Sequence, residues 1–306
     1  RGLKSDEMTT FAQRMRLFYY IFRCLTGIFH VLPFRLIYLK SILISFALYR
    51  LIAYRRKVVW ANIFNAFPEK TQAERKWIEK AFYRNLGDII LEGIKGFSIR
   101  KKVLRERFCF KNPEVLDHWF ETGVSIVAVG AHYANWEWGV MAAPMFIKHK
   151  PIAFYTPLTN PFVNEYMCTN RSKFGTEMVP TNKIKDAISA SGNTPVLWFF
   201  GADQSPSNIK SVHWMKFLNQ ETACNRGAEF FARRYGLPVV YFDVQRIRRG
   251  YYEVEIRVLF DNAANTSAGE VTTQYFHTLE QIIRAKPEDY LWSHRRWKHK
   301  RETMVD

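Results

Sequence analysis

The chain has 306 residues, enough to bury one large α/β core or two small ones. With 48% hydrophobic and 24% charged residues, it is neither a disordered chain nor a polytopic membrane protein. A net charge of +17 points to anionic partners: nucleic acid, an anionic membrane or an acidic protein. The 25 Phe, 15 Tyr and 9 Trp suit a lipid interface or a chain-binding groove, although aromatic side chains also fill ordinary cores. Cys24, Cys109, Cys168 and Cys224 lie far apart, with no CxxC. They fit a reducing compartment and propose neither a metal site nor a disulfide framework.

The chain begins at Arg1, and Met8 is a plausible native start. Residues 9 to 54 read as two helical segments broken at Pro33. Their apolar runs are interrupted by Arg23, Arg35 and Lys40, and no small-residue cleavage site closes them. A spanning helix wants about 20 mostly apolar residues. The uncharged windows Cys24 to Phe34 and Ser41 to Tyr49 are too short, and basic residues follow at Arg50, Arg55, Arg56 and Lys57. The pattern predicts an amphipathic anchor in the plane of a membrane interface. A basic helix pair packed on the core is the plainer alternative.

Residues 71 to 98 have helical spacing, with Trp77, Phe82, Ile89, Ile90 and Ile94 as the expected core stripe. Thr71 with Glu74 three residues later is a capping-box signature. Val124 to Val129 reads as a buried strand, and Asn135 to Ile147 as a helix. A second strand spans Pro151 to Tyr155, a helix Phe162 to Phe174, and an extended segment Glu177 to Pro180. Lys183 to Ala190 is helical and ends at Gly192. Pro195 to Phe200 is a buried strand leading into a loop from Gly201 to Ser211. Ala223 to Tyr235 is predicted helical and stops at Gly236. Leu237 to Arg246 and Tyr251 to Phe260 alternate like an antiparallel pair turning at Arg249-Gly250. Thr272 to Ala285 is the last long helix.

Chemistry concentrates where strands end. His132 directly follows the Val124 to Val129 strand, and Glu137 lies five positions on. Ligands of α/β folds bind at the carboxyl ends of strands. A histidine there can take a proton near neutral pH, and a carboxylate can fix its tautomer and stabilise the imidazolium. Such a pair can activate a hydroxyl toward an acyl group; a histidine that only caps the following helix is the bland alternative. Asp203 and Gln204 follow the Pro195 to Phe200 strand in the same way and could face the same site, or could simply stabilise a turn. Arg171 could hold a sugar phosphate or a phosphopantetheine, or be a solvated helix arginine. Arg295, Arg296, Lys298, Lys300 and Arg301 with Trp292 and Trp297 form a basic-aromatic tail suited to a membrane interface. No nucleic-acid recognition fold accompanies that tail. There is no Gly-rich phosphate loop and no zinc-type Cys or His spacing, so no cofactor and no metal are expected.

The string Ala131-His132-Tyr133-Ala134-Asn135-Trp136-Glu137 resembles the His-x4-Asp/Glu motif of glycerolipid-type acyltransferases, in the form carried by the late acyltransferases of lipid A biosynthesis, the lauroyl and myristoyl transferases. Further blocks agree in order: Arg56 to Asn62, Ala66 to Glu69, Ala202 to Pro206, and Pro287 to Lys298. The likeness runs from about residue 15 to about residue 300. The resemblance implies an αβα sandwich with a mixed sheet (a glycerol-phosphate-acyltransferase-like fold) plus membrane-associating N-terminal helices. The simplest organisation along the chain is a helical anchor over 1–54 and one catalytic domain over 55–306. The resemblance also implies secondary acylation in lipopolysaccharide biosynthesis, at the cytoplasmic face of a bacterial inner membrane. Acyl carrier protein would be the donor and a lipid A precursor the acceptor. In this reading His132 is the general base and Glu137 holds and charge-compensates it. Backbone N–H groups at the start of the Asn135 helix would receive the oxyanion. Asn135, Arg171, Asp203, Gln204, Arg295 and Arg296 would bind substrate. Alternatives are an acyl-CoA-dependent enzyme acting on another glycolipid or a lysophospholipid, and a non-catalytic membrane-binding module. The family usually carries Gly where this chain has Ala134, which bears on backbone geometry beside the histidine.

Overall fold

The computed structural model describes residues 5–301, with side chains from Gln13 onward. Arg1 to Lys4, in the segment expected to precede a native start, lie outside the described residues.

Two helices, α1 (Ser5–Val31) and α2 (Phe34–Phe46), meet at Pro33, whose missing N–H and fixed φ of −69° end one helix and start the next. A wider turn over Ala47–Leu51 extends α2. The chain then turns by about a right angle through Ala53 and Arg55, both at φ 48°, into α3 (Arg56–Ala66). The long α4 (Gln72–Gly96) opens with the expected capping box, Thr71 and Glu74 exchanging hydrogen bonds. Lys95 near its end is buried, and its Nζ donates to the carbonyls of Phe29, His30 and Leu32 at 2.8–3.0 Å. That ammonium satisfies the orphan carbonyls around the end of α1 and pins α1 to α4. The expected α4 stripe needs correction. Phe82 and Ile89 are buried, but Trp77 is 54% and Ile90 37% exposed. Ile78, Leu86 and Leu91 bury their side chains instead, because the buried face of α4 is set by what packs on it.

Next come α5 (Lys101–Arg107), β1 (Phe108–Phe110), α6 (Asp117–Glu121), β2 (Ile126–Gly130) and α7 (Trp136–Ala142). They are followed by β3 (Lys150–Tyr155), α8 (Pro161–Ser172), β4 (Glu177–Pro180), α9 (Ile184–Ser191) and β5 (Val196–Gly201). The chain closes with β6 (His213–Phe217), β7 (Gln220–Cys224), α10 (Gly227–Tyr235), β8 (Val239–Arg248), β9 (Tyr251–Phe260) and α11 (Glu270–Ala285). Seven strands form one mixed sheet in the order β1-β9-β8-β2-β5-β3-β4, with β8–β9 as its antiparallel pair. The central β2 is buried at every position, as its unbroken apolar run requires.

Side-chain alternation places helices on both faces of the sheet. Trp198 and Phe200 of β5 pack on Phe231 of α10, while Phe199 between them faces the α7 side. Tyr275 of α11 packs on Tyr241 of β8 and donates to the Gly130 carbonyl at 3.0 Å, so α11 shares the α10 face. The hairpin β6–β7 was not expected. Leu218 and Asn219 turn it with φ 48° and 64°, and β7 takes residues expected to begin a helix, which starts only at Gly227. The cause is tertiary: Phe217 packs edge-on against Phe276 of α11 and near-parallel to Trp297 of the tail.

Candidate active site

β2 and β5 pair in parallel with Gly130 opposite Gly201, so the loops after both strands emerge together at the carboxyl end of the sheet. His132 sits on the first loop and Asp203 and Gln204 on the second. His132 Nδ1 lies 2.7 Å from Asp203 Oδ1, and Gln204 Nε2 lies 3.1 Å from His132 Nε2. An ionised carboxylate can only accept, so Nδ1 carries the proton and donates to Asp203. Nε2 then presents its lone pair, and the Gln204 amide donates to it. Burial disfavours charge on His132, but the Asp203 carboxylate outweighs it, with help from Glu137, and the imidazole pKa lies above its ordinary value. Burial also works against ionised Asp203, yet His132 and Arg296 hold its carboxyl below the ordinary value. The site therefore contains an imidazole made more basic at the nitrogen that faces the Gln204 amide.

The carboxylate hydrogen-bonded to His132 is Asp203 and not Glu137. His132 leaves the sheet before α7 begins, so the five-residue spacing to Glu137 is not a helical spacing and does not aim that carboxylate at Nδ1. Glu137 instead takes a two-point contact from Arg171, Nε to Oε2 at 2.9 Å and Nη2 to Oε1 at 2.5 Å. Both side chains are about one-fifth exposed. Their pairing ties α7 to α8.

Asn135 is wholly buried and caps α7, its Oδ1 accepting from the Trp138 amide at 3.0 Å. Its amide nitrogen donates to Glu92 Oε2 at 2.7 Å, where Tyr252 also donates. Burial pushes the Glu92 carboxyl up, and the Tyr252 and Tyr38 hydroxyls work against that rise. Asn135 thus fastens the start of α7 to α4. Asn135 occupies the Trp138 amide at the start of α7. Ala134 adopts φ 49° and is wholly buried, which explains why glycine suits this position. Its N–H donates to the Asp289 carbonyl at 2.9 Å, and the Leu291 N–H donates to the His132 carbonyl at 3.2 Å.

Two cavities meet here. A narrow, mostly apolar slot with only about 30 Å³ of free volume lies between α7 and the sheet, bounded by Phe110, Gly130, Phe199, Phe242 and Val254. An open groove of about 560 Å³ runs past Glu137, Gln204, Arg55 and His294 along the apolar side of α4, where Ile90 and Ile94 line it.

Residues 8–299 match the family described as bacterial lipid A biosynthesis acyltransferase. The chain belongs to that family. It is 25% identical over 274 residues to the lipid A biosynthesis lauroyltransferase of Escherichia coli (strain K12), covering 89% of this chain and 88% of the relative. It is 22% identical over 247 residues to the lipid A biosynthesis palmitoleoyltransferase of the same organism, covering 80% of this chain and 79% of the relative. The lipid A biosynthesis acyltransferase of Shigella flexneri matches with the same identity and coverage.

The acyltransferase gathers its distant sequence blocks around the His132 loop. Asn62 donates to the carbonyls of Trp292 and His294, both at 2.9 Å, and Arg55 to that of Ser293 at 3.1 Å. His294, inside the Pro287 to Lys298 block, accepts from the Ser205 amide at 3.0 Å and so tethers the loop that carries Asp203 and Gln204. Burial pushes its pKa down to about 4, which keeps it neutral and able to accept. Its neighbours Trp292 and Ser293 are buried, a pattern the basic residues around it concealed. Arg296 is buried too. It donates to the Ala223 carbonyl at 2.8 Å and to Cys224 Sγ at 3.5 Å, clamping the tail to β7 instead of facing the groove. Arg295 is exposed.

Proposed function

We propose that the enzyme moves a fatty acyl group from an acyl carrier protein thioester to the hydroxyl of a 3-hydroxyacyl chain on a lipid A precursor. The observation that carries this reading is a basic imidazole, backed by a buried carboxylate, against Trp136, a residue that lines both a narrow apolar slot and an open groove. The acyl chain enters the slot, whose walls must part to take it, and the acceptor lipid lies in the groove. His132 Nε2 takes the proton from the acceptor hydroxyl, and the oxygen attacks the thioester carbonyl carbon. The C–S bond breaks, and the departing sulfur takes the proton back from Nε2. Asp203 keeps the Nδ1–H tautomer and compensates the imidazolium between these steps. Gln204 rests where the acceptor hydroxyl must come, so the acceptor displaces its amide. Glu137 adds negative potential at His132 and holds Arg171, whose guanidinium stands near the acceptor's polar end.

Membrane seating at the cytoplasmic face of an inner membrane fits the same reading, with residues 1–54 as the seated part and 55–306 as the catalytic domain. Leu17, Ile21, Leu25 and Ile28 of α1, and Leu39, Leu43 and Phe46 of α2, are exposed. Among the described residues no single helix is long and apolar enough to cross a membrane, and Phe34–Leu51 with Arg56–Ala66 bends by 88°. Such helices suit the plane of the interface. Phe22 of α1 also lines the open groove, which gives a lipid acceptor a path from the bilayer. The +17 charge suits anionic head groups and an acidic donor protein.

The test offers purified enzyme a lipid A precursor with acyl carrier protein or CoA thioesters and reads the products by mass spectrometry. His132→Ala should lose about 100- to 10,000-fold in turnover at an unchanged melting temperature. Near-parental turnover in that variant would remove the base assignment, and transfer from CoA thioesters alone would change the donor.

A further inference from the structure

Trp136 is the residue that belongs to both cavities. Its ring lines the slot beside Gly130 and Ala131, and it lines the open groove beside Glu137 and Gln204. It also stands edge-on to His132, ring centroids 5.2 Å apart. The two tryptophans of α7 are held very differently. The Trp138 indole is wholly buried and donates to the Glu92 carbonyl at 3.0 Å. Trp136 is half-buried, and its indole N–H has no hydrogen-bond partner among the described residues. A large flat side chain with no polar tether can change rotamer at the cost of apolar contact alone.

The slot behind it is built to take something slender. Gly139 on α7 and Ala143 in the turn directly after it, four residues apart, leave its helix side smooth. On the sheet side, a Cβ at Gly130 would come within 2.8 Å of Phe199 Cζ, so only glycine lets that ring close over the strand. Phe110, Phe242 and Val254 bound the part toward β1 and β9. A chain whose carbonyl lies at His132 must pass Trp136 to place its tail here.

We propose that Trp136 is a specificity-determining partition: it separates the acyl slot from the acceptor groove, yields to admit the acyl chain, and makes the slot's length felt in which acyl groups are transferred. This rests on the acyl-transfer reading above. With the partition in place, a chain too long for the slot cannot spill into the groove. One methylene that fits or fails to fit an apolar pocket changes selectivity by about 10- to 200-fold. With the partition gone, surplus methylenes have somewhere to go and that discrimination falls.

The experiment uses the full chain in detergent: parent, Trp136→Phe, Trp136→Ala and Ala143→Leu. One arm supplies an equimolar mixture of acyl carrier protein thioesters from decanoyl to palmitoyl with a lipid A precursor and reads the product ratio. The other measures binding of the corresponding free fatty acids by calorimetry. Parent and Trp136→Phe should share one length preference. Trp136→Ala should reduce the preference over longer chains by at least about 10-fold in both arms. Ala143→Leu, which fills the slot from the helix side, should move the preference to shorter chains. Length profiles unchanged in Trp136→Ala, or affinity lost equally at every length, overturn the partition. If Trp136→Ala fails to fold, an unchanged profile in Ala143→Leu overturns it. Parent that binds fatty acids with the expected length dependence but transfers nothing sinks the acyl-transfer reading and leaves the partition standing. Transfer with profiles indifferent to the variants does the reverse.

Discussion

Replacing Asp203 by Asn removes a buried negative charge 2.7 Å from His132 Nδ1 and leaves the shape of the side chain almost unchanged. The partners are well shielded, His132 at 26% and Asp203 at 3% side-chain exposure. A hydrogen bond to a charged group contributes roughly 1.5–3 kcal/mol. Losing it should lower the His132 pKa. The direction is firm, because burial alone disfavours the imidazolium and Asp203 is the principal group opposing it. A general base works when neutral, so kcat/KM of the parent should decline as pH falls through a value above the ordinary imidazole range. In Asp203→Asn that limb should move to lower pH. The plateau should also drop, by about 100- to 10,000-fold, because the asparagine amide can donate to Nδ1 and leave the proton on Nε2. Stability should follow the two shifts. The Asp203 contribution is present above the unfolded aspartate pKa and is lost as pH falls through its lowered folded value. The His132 contribution is complete below the unfolded imidazole pKa and is lost as pH rises through its raised folded value. The pair therefore stabilises most at mildly acidic pH, and the melting temperature of Asp203→Asn should fall furthest from the parent there. The measurements are kcat/KM from acid to mildly alkaline pH and melting curves over the same range. A variant whose limb coincides with the parent's and whose kcat/KM stays within about twofold would show that Asp203 does not serve His132.

Glu137→Gln breaks the two-point contact with Arg171 and should raise the acceptor KM more than it lowers kcat; an unchanged KM with a collapsed kcat would place Glu137 in the proton transfer itself. Ala134→Gly should be neutral or stabilising by up to about 1 kcal/mol, since relief of a left-handed conformation is worth about 1–2 kcal/mol and glycine's added freedom costs about 0.5–1. Chemical denaturation measures it, and a clear loss of stability would mean that the Ala134 methyl is needed for packing. Serine at Leu39, Leu43 and Phe46, all exposed, should weaken flotation with anionic vesicles without lowering the melting temperature. Undiminished flotation would move the membrane contact elsewhere on the chain.

Much of this protein is written locally in its sequence. Pro33 breaks the first helices, Thr71 and Glu74 open α4, and the apolar runs around Ala128 and Leu197 are strands covered on both faces. These readings depend on periodicity, capping and proline geometry, which act over a few residues. The family likeness and the place of His132 just past the end of β2 were legible for the same reason, as short strings at strand ends. Which carboxylate serves His132 was not legible. Glu137 is near in sequence, but Asp203 is brought to Nδ1 by the parallel pairing of β2 with β5, a contact between residues 71 apart in the chain. The hairpin β6–β7, the buried clamp of Arg296 and the tether from His294 to Ser205 likewise exist only once the tail has packed. Local propensity chooses helices and strands because its energies are local. Partners and burial are chosen by the whole chain, because an apolar face or a buried charge is stabilised only by what the rest of the fold brings against it.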